Sequence, residues 1–305
     1  MPQGSILGPL LFLIFINDIS QASNYFKYIL YADDSTLSSC LREDELEEST
    51  VKINNELSKI HKWLTANKIL INKQKTKFMI LSYNRNVMIP TITIGGNIIE
   101  ETDTFKLLGI YIDNHLTFKD HIHKIAIKIS KSVGILYRLN KFLPPNVLKL
   151  IYSTLVHPYL IYGLEAWFGT FKNNTNKIFI LQKKAIRAIN GLNYNEHTND
   201  YFKLMNILKI EDQYKLQITT FIHKLLNLDT DCNLATKLIK NSQVHHHGTR
   251  QENKLNIRPI NKARSKFSLI HNGGKIWNTL PEKLRKFDSL SKFKIHTKSH
   301  FLDNY

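Results

Sequence analysis

The chain has 305 residues, 43% hydrophobic and 22% charged, a balance that fits one large or two ordinary globular domains and excludes a disordered polymer. Its 42 Lys and Arg against 25 Asp and Glu give a net charge of +17 and a pI near 9.6, an excess suited to a polyanionic partner through phosphate neutralisation. Only Cys40 and Cys232 occur, without a disulfide framework or zinc spacing, and no apolar run is long enough to span a membrane, so the expectation is a soluble, intracellular protein with no membrane partner.

Pro9 marks a helix start, and Leu10 to Ile19 is nearly all apolar, which predicts a buried helix. Nothing precedes this helix in the chain to cover it, so the expectation is a truncated core. Phe26 to Leu37 then runs from apolar and aromatic residues into Asp33 and Asp34 and out through a β-prone segment. That pattern predicts a hairpin with both carboxylates at or next to its turn. Hard cations such as Mg²⁺ take carboxylate oxygens, and a rigid hairpin would hold them at fixed geometry. By itself, an Asp pair in a turn is ordinary turn chemistry.

Leu46, Ile53, Leu57, Ile60 and Leu64 recur at helical spacing. Glu43, Asp44, Glu45, Glu47 and Glu48 crowd the first turns of that helix, as the helix dipole favours, and Asn67 ends it. Ile69 to Ile71 and Phe78 to Leu81 read as short strands, Ile92 to Ile99 as a hairpin around Gly95-Gly96, and Phe105 to Ile112 as one further strand. Residues up to about Asp113 therefore form an α+β unit.

From His115 onward the pattern is helical. Ile122, Ile125, Ile129, Val133 and Leu136 share one face, and Lys124, Lys128, Lys131 and Arg138 the opposite one. Such a Lys face is ordinarily just solvated, but in a protein of this charge it could equally track a phosphate backbone. Pro144-Pro145 opens the next helix, which kinks at Pro158. A third, Asn176 to Asn190, turns Ile178, Leu181, Ala185 and Ile189 inward and Lys183, Lys184 and Arg187 outward. Helices are also expected over Asp200–Leu208 and Ile210–Leu228. The polar stretch Asp229–Lys262 reads as a loosely ordered linker. His245-His246-His247 lies within it and reads as surface loop more than metal site, lacking spaced partners.

Four stretches in order resemble the reverse transcriptases of non-LTR retrotransposons, jockey-like elements in particular. They are Pro2-Gln3-Gly4-Ser5-x-Leu7-Gly8-Pro9-Leu10-Leu11-Phe12; Tyr31-Ala32-Asp33-Asp34; Trp63-x-x-x-Asn67-x-Ile69-x-Ile71-Asn72-x-x-Lys75-Thr76-Lys77; and Phe105-Lys106-Leu107-Leu108-Gly109-Ile110-x-Ile112-Asp113. The first is long and specific, and the order and spacing of all four add to it. Downstream, Tyr162-Gly163 before Trp167, Gln182 to Arg187, Thr249-Arg250 and Ile276-Trp277-Asn278-x-Leu280-Pro281 also resemble the family.

The resemblance implies a partial polymerase palm over residues 1–113 (an antiparallel sheet with packed helices), a helical thumb over 114–190 and a basic, partly loosely ordered helical region over 191–305. It implies an RNA-directed DNA polymerase that uses two Mg²⁺ ions to transfer a nucleotide to a primer 3′-hydroxyl. Asp33 and Asp34 would be catalytic and metal-binding. Gln3, Gly4 and Lys75 would lie at the nucleotide, although Lys75 also reads as a solvated loop lysine. Leu108 and Gly109 would meet the primer, although a simple core strand would read the same, and Lys124, Lys128, Lys131, Arg138, Lys183, Lys184 and Arg187 would meet the nucleic-acid backbone. Partners would be RNA template, DNA primer or target, and deoxynucleoside triphosphates, with nuclear work and a cytoplasmic ribonucleoprotein stage. The family carries a further catalytic Asp and the fingers upstream of the Pro-Gln-Gly motif, where this chain begins. The two-metal site is therefore expected to be incomplete and the isolated chain a poor polymerase. The alternative is a nucleic-acid-binding remnant without chemistry.

Overall fold

The computed structural model describes residues 4–41, 45–82, 90–170, 172–227, 234–244, 253–260 and 267–305. The chain divides into two compact units, residues 1–105 with 113–116, and residues 106–112 with 117–305. Among the described residues, no helix is long and apolar enough to cross a membrane.

The first unit opens with helix α1 (Leu7–Ile16), followed by a 3-10 turn (Asn17–Ala22). The expected buried helix is a correction. Leu7, Leu10, Leu11, Leu13, Ile14 and Phe15 are all exposed, and only Ile16 of α1 is buried. Phe12 packs half-buried on the same core as Ile16, and the described residues leave most of the remaining helix surface open.

Strands β1 (Lys27–Tyr31) and β2 (Asp34–Ser38) form the expected antiparallel hairpin, with Tyr31 opposite Asp34 as its last pair. Helix α2 (Leu46–Ala66) buries Ile53, Leu57, Ile60 and Leu64, as the periodicity predicts. These residues pack with Ile16, Ile19, Ile92 and Ile99, and with Tyr28, Leu30 and Leu37 of the hairpin. Glu43 and Asp44, expected in the first turns of α2, lie outside the described residues.

The expected strand Ile69–Ile71 is the C-terminal cap of α2 instead. Lys68 adopts a left-handed φ of 58°, and the Ile69 N–H donates back to the Leu64 carbonyl at 2.9 Å, the hydrogen bond of a Schellman motif. Of Phe78–Leu81 only Phe78 is in a strand. Short β3 (Lys77–Phe78) pairs in parallel with β6 (Glu100–Glu101), while β4 (Thr93–Ile94) and β5 (Asn97–Ile98) turn through Gly95-Gly96 as predicted. Among the described residues the strands therefore form separate two-stranded ladders, one of them parallel, and not one continuous antiparallel sheet.

The expected single strand Phe105–Ile112 is in fact a hairpin, β7 (Thr104–Leu107) and β8 (Ile110–Asp113), turning at Leu108-Gly109. Both turn residues have positive φ, 46° and 88°, as a two-residue hairpin turn of this hand demands. The apolar run hid the turn because Leu is a rare residue at such a position.

In the second unit, α3 (Lys119–Leu139) packs on α7 (Lys172–Asn190), with α4 (Pro145–Leu155), α5 (His157–Ile161) and α6 (Leu164–Trp167) closing the bundle. Pro145 sits in the first turn of α4, and the chain breaks at Val156 ahead of Pro158, in keeping with the expected kink. The core joins Ile122, Ile129 and Leu136 of α3 to Ile178, Ala185 and Ile189 of α7 and to Trp167. Helices α8 (Asn199–Leu204) and α9 (Ile210–Asn227) follow, and α9 packs against α10 (Leu269–Thr279) and α11 (Leu290–Asp303).

The linker expected over 229–262 is a further correction for its described parts. Leu238 and Leu255 are buried in a core with Trp277, Leu280 and Phe293, and Lys240 bridges to Leu255. The Asn278 side chain bonds both the N–H and the carbonyl of Leu255 at 2.9 Å. Polar composition concealed two apolar anchors. His245, His246, His247 and Thr249-Arg250 lie outside the described residues.

Candidate functional site

The β1–β2 turn consists of Ala32 and Asp33, and Asp34 is the first residue of β2. Both carboxylates are exposed. Ala32 holds a φ of 50°, a left-handed conformation that costs a non-glycine residue roughly 1 kcal/mol. The stem below is anchored. The Tyr28 hydroxyl donates to the Ser23 carbonyl at 3.1 Å, and the Ser23 hydroxyl donates to Glu56 of α2 at 2.7 Å. The Lys59 ammonium, and next the Ser23 hydroxyl, hold the Glu56 carboxyl below the usual carboxylate range. A strained turn on a tied stem presents two adjacent carboxylates at one place.

Carboxylate oxygens are the donors Mg²⁺ prefers, and Mg²⁺ commonly binds through one or two of them while keeping water. Asp33 and Asp34 fit that role by chemistry. Among the described residues, no group of three or more His, Cys, Asp and Glu side chains is placed to hold a metal ion.

The expected nucleotide-side residues are spread more loosely. Gln3 lies outside the described residues. Gly4 is exposed with a φ of 89°, and a Cβ there would meet no described atom within 4 Å, so backbone conformation and not crowding calls for glycine. Lys75 is exposed in a turn closed by its own N–H to the Asn72 carbonyl at 3.1 Å. Its neighbours are tied down, Lys77 to Glu100 at 2.8 Å and Lys73 to Asn97 at 3.1 Å.

In the second unit, Leu108 and Gly109 are exposed at the tip of β7–β8. The Tyr162 hydroxyl donates to the Leu108 carbonyl, and the Tyr111 N–H donates to His121 Nδ1 of α3 at 3.4 Å. Lys124, Lys128, Lys131 and Arg138 form one exposed stripe along α3, as the periodicity predicts. The structure adds aromatic partners that the sequence pattern does not show. The Lys124 ammonium sits 3.3 Å from the centre of the Tyr111 ring, Lys128 is 5.2 Å from that of Tyr159, and Lys106 is 5.9 Å from Tyr111. Most of these partners are distant in sequence, so no periodicity could join them.

The basic face expected on α7 is less open than the stripe on α3. Lys183, Lys184 and Arg187 are half-buried. Lys183 lies 4.9 Å over the Phe179 ring, and the Arg187 guanidinium donates twice to the Glu196 carbonyl, at 3.1 and 2.9 Å. Arg187 therefore commits two of its donors to the chain's own backbone. Inside the same helix Gln182 is buried and bonded to three partners, a role unmarked by its polar type.

Residues 1–112 match the sequence profile of the family described as reverse transcriptase (RNA-dependent DNA polymerase). The chain is 30% identical over 229 residues, 70% of its own length and 24% of the relative's, to the RNA-directed DNA polymerase from mobile element jockey of Drosophila funebris. The corresponding jockey protein of Drosophila melanogaster is 27% identical over 238 residues, 74% of this chain and 25% of the relative. A probable RNA-directed DNA polymerase from transposon BS, also of Drosophila melanogaster, is 28% identical over 240 residues, 74% of this chain and 26% of the relative. The chain thus spans about a quarter of the length of these curated relatives. No solved structure matches it.

Proposed function

We propose, from the match of residues 1–112 to the reverse transcriptase family, that this chain carries part of the machinery of an RNA-directed DNA polymerase of a non-LTR retrotransposon. The observation that carries the reading is the pair Asp33 and Asp34, set side by side on an anchored hairpin tip within the matching segment. Asp33 would bind Mg²⁺ directly, and Asp34 would be a second ligand or orient the first. Bound there, the metal would supply charge neutralisation at the phosphates and activate the primer 3′-hydroxyl for in-line attack.

The chain's own residues have the remaining tasks. Gly4 and Lys75 would border the nucleotide, with Gln3 beside Gly4. Leu108-Gly109 would bear on the primer end, and the α3 stripe with Tyr111 and Tyr159 would track the backbone of a primer on its RNA template. Cations set along one exposed face suit this task because they neutralise successive phosphates. Such work on chromosomal DNA would be done in the nucleus.

Primer extension on an RNA template, with Mg²⁺ and deoxynucleoside triphosphates, tests the reading. Asp33→Asn should lower incorporation by about two orders of magnitude, the scale of losing one preorganised electrostatic group, while leaving primer–template affinity intact. Measurable incorporation that is equal in wild type and Asp33→Asn would overturn the assignment. The second reading, binding without chemistry, is favoured by the cation–aromatic stripe itself. It predicts tight, salt-sensitive binding of primer–template with no incorporation by the wild-type chain.

A further inference from the structure

We infer that Tyr162 is a positioning residue, a latch that sets the Leu108-Gly109 turn in the place where it meets a primer end. The inference rests on the reading of that turn as the primer contact, and adds the residue that holds it.

A two-residue hairpin turn leaves the carbonyl of its first residue pointing away from the ladder, so strand pairing cannot satisfy it. Leu108 is that residue. It also sits at a φ of 46°, which a leucine adopts only under constraint from its surroundings. The constraint comes from the helical unit. The Tyr162 hydroxyl donates to the Leu108 carbonyl, and the Tyr162 ring lies under Gly109, where an added Cβ would stand 3.4 Å from the ring edge. Tyr162 is in turn fixed from behind, because Trp167 Nε1 donates to its carbonyl at 3.0 Å and the Trp167 side chain is fully buried.

Two neighbouring contacts act in the same direction. Gly163 (φ 57°) lets the Ile110 side chain close in, and a Cβ there would lie 2.3 Å from Ile110 Cδ1. On the other side, the Tyr111 N–H donates to His121 Nδ1. The turn is thus gripped at residues 108 to 111 by α3 and by the segment that follows α5. Its position is set by the helices that carry the basic stripe, so turn and stripe are held in one register. Tyr162 is itself half exposed, which a purely structural anchor of a turn would not require.

The test uses the full chain bound to a DNA primer ending in 4-thiothymidine, annealed to an RNA template, with photocrosslinks mapped by mass spectrometry. The wild type should crosslink within residues 106–112. Tyr162→Phe keeps the ring and removes only the donor. It should reduce that crosslink by about fivefold, the factor one ordinary hydrogen bond corresponds to, at unchanged primer–template affinity. A merely structural hydroxyl would lower the melting temperature or the affinity without selectively moving the crosslink. Equal crosslinking at 106–112 in both proteins would overturn the latch and leave the primer reading standing. A wild type that crosslinks elsewhere would overturn the primer reading of the turn and the positioning role together. Amide hydrogen exchange at Gly109 and Ile110, measured on the free proteins, would then show whether the hydroxyl still holds the turn.

Discussion

The side-chain amide of Gln182 donates to the Tyr152 hydroxyl at 3.1 Å, with both side chains buried in the core of the helical unit. The same nitrogen donates to the Leu208 carbonyl at 2.9 Å, and the Gln182 carbonyl oxygen accepts from the Ile210 N–H at 2.8 Å. One side chain on α7 thereby satisfies α4 and the start of α9, where the helix N-terminus leaves its first N–H groups without intrahelical partners. Burial pushes the Tyr152 hydroxyl pKa up, with the Gln182 hydrogen bond opposing it in part, so Tyr152 is neutral throughout the accessible pH range.

Gln182→Leu is expected to destabilise the chain by about 3 kcal/mol, because it leaves up to three buried polar groups unpaired at a cost of about 1 kcal/mol or more each. Urea unfolding monitored by Trp fluorescence checks this, since Trp167 is buried in the same core. A loss below about 1 kcal/mol would mean water replaces the amide.

The stripe on α3 and the cation on α7 should respond differently to mutation. Lys128→Ala with Lys131→Ala is expected to reduce the slope of log affinity against log salt by roughly two on duplex primer–template, about 0.9 for each phosphate that is no longer neutralised. Arg187→Ala should leave that slope alone and lower stability, because its guanidinium already serves the Glu196 carbonyl. Binding titrations at several salt concentrations separate the two. A changed slope in Arg187→Ala would return that residue to the nucleic-acid surface.

Acidification should weaken the helical unit. Burial, and next the charge of Lys128, lowers the His121 pKa, while burial and then Lys298 lower that of His157. Nδ1 of His121 accepts the Tyr111 N–H, so the folded state needs it unprotonated. For a histidine whose folded pKa lies below its unfolded one, the unfolded chain takes up the proton first. Stability is therefore full above roughly pH 6.5 and falls as the pH drops from there toward the depressed folded value. His121→Asn, which keeps an acceptor near the Nδ1 position, should flatten that decline in denaturation midpoints measured from pH 7.5 downward. An unchanged pH dependence would assign the effect to other groups.

The elements that could be read from sequence are those in which one local pattern decides the outcome. Helices α2, α3 and α7 follow their 3.6-residue apolar spacing, the Asp33-Asp34 hairpin follows a short β-prone run broken at a turn, and Gly95-Gly96 carries its own turn geometry. The two carboxylates and the α3 stripe were legible for the same reason. Tertiary structure alone decided the rest. Leu108 carries no turn signal, and its left-handed backbone is held by Tyr162, which lies 54 residues away in the chain. Arg187 and Gln182 look like surface residues of an amphipathic helix until the Glu196 carbonyl, Tyr152, Leu208 and Ile210 come to meet them. Conversely, α1 is apolar enough to be a core helix and is left exposed by the described residues. Periodicity shows which face of an element is apolar, whereas the partner that covers that face, or satisfies a polar group on it, comes from distant segments that no local pattern contains.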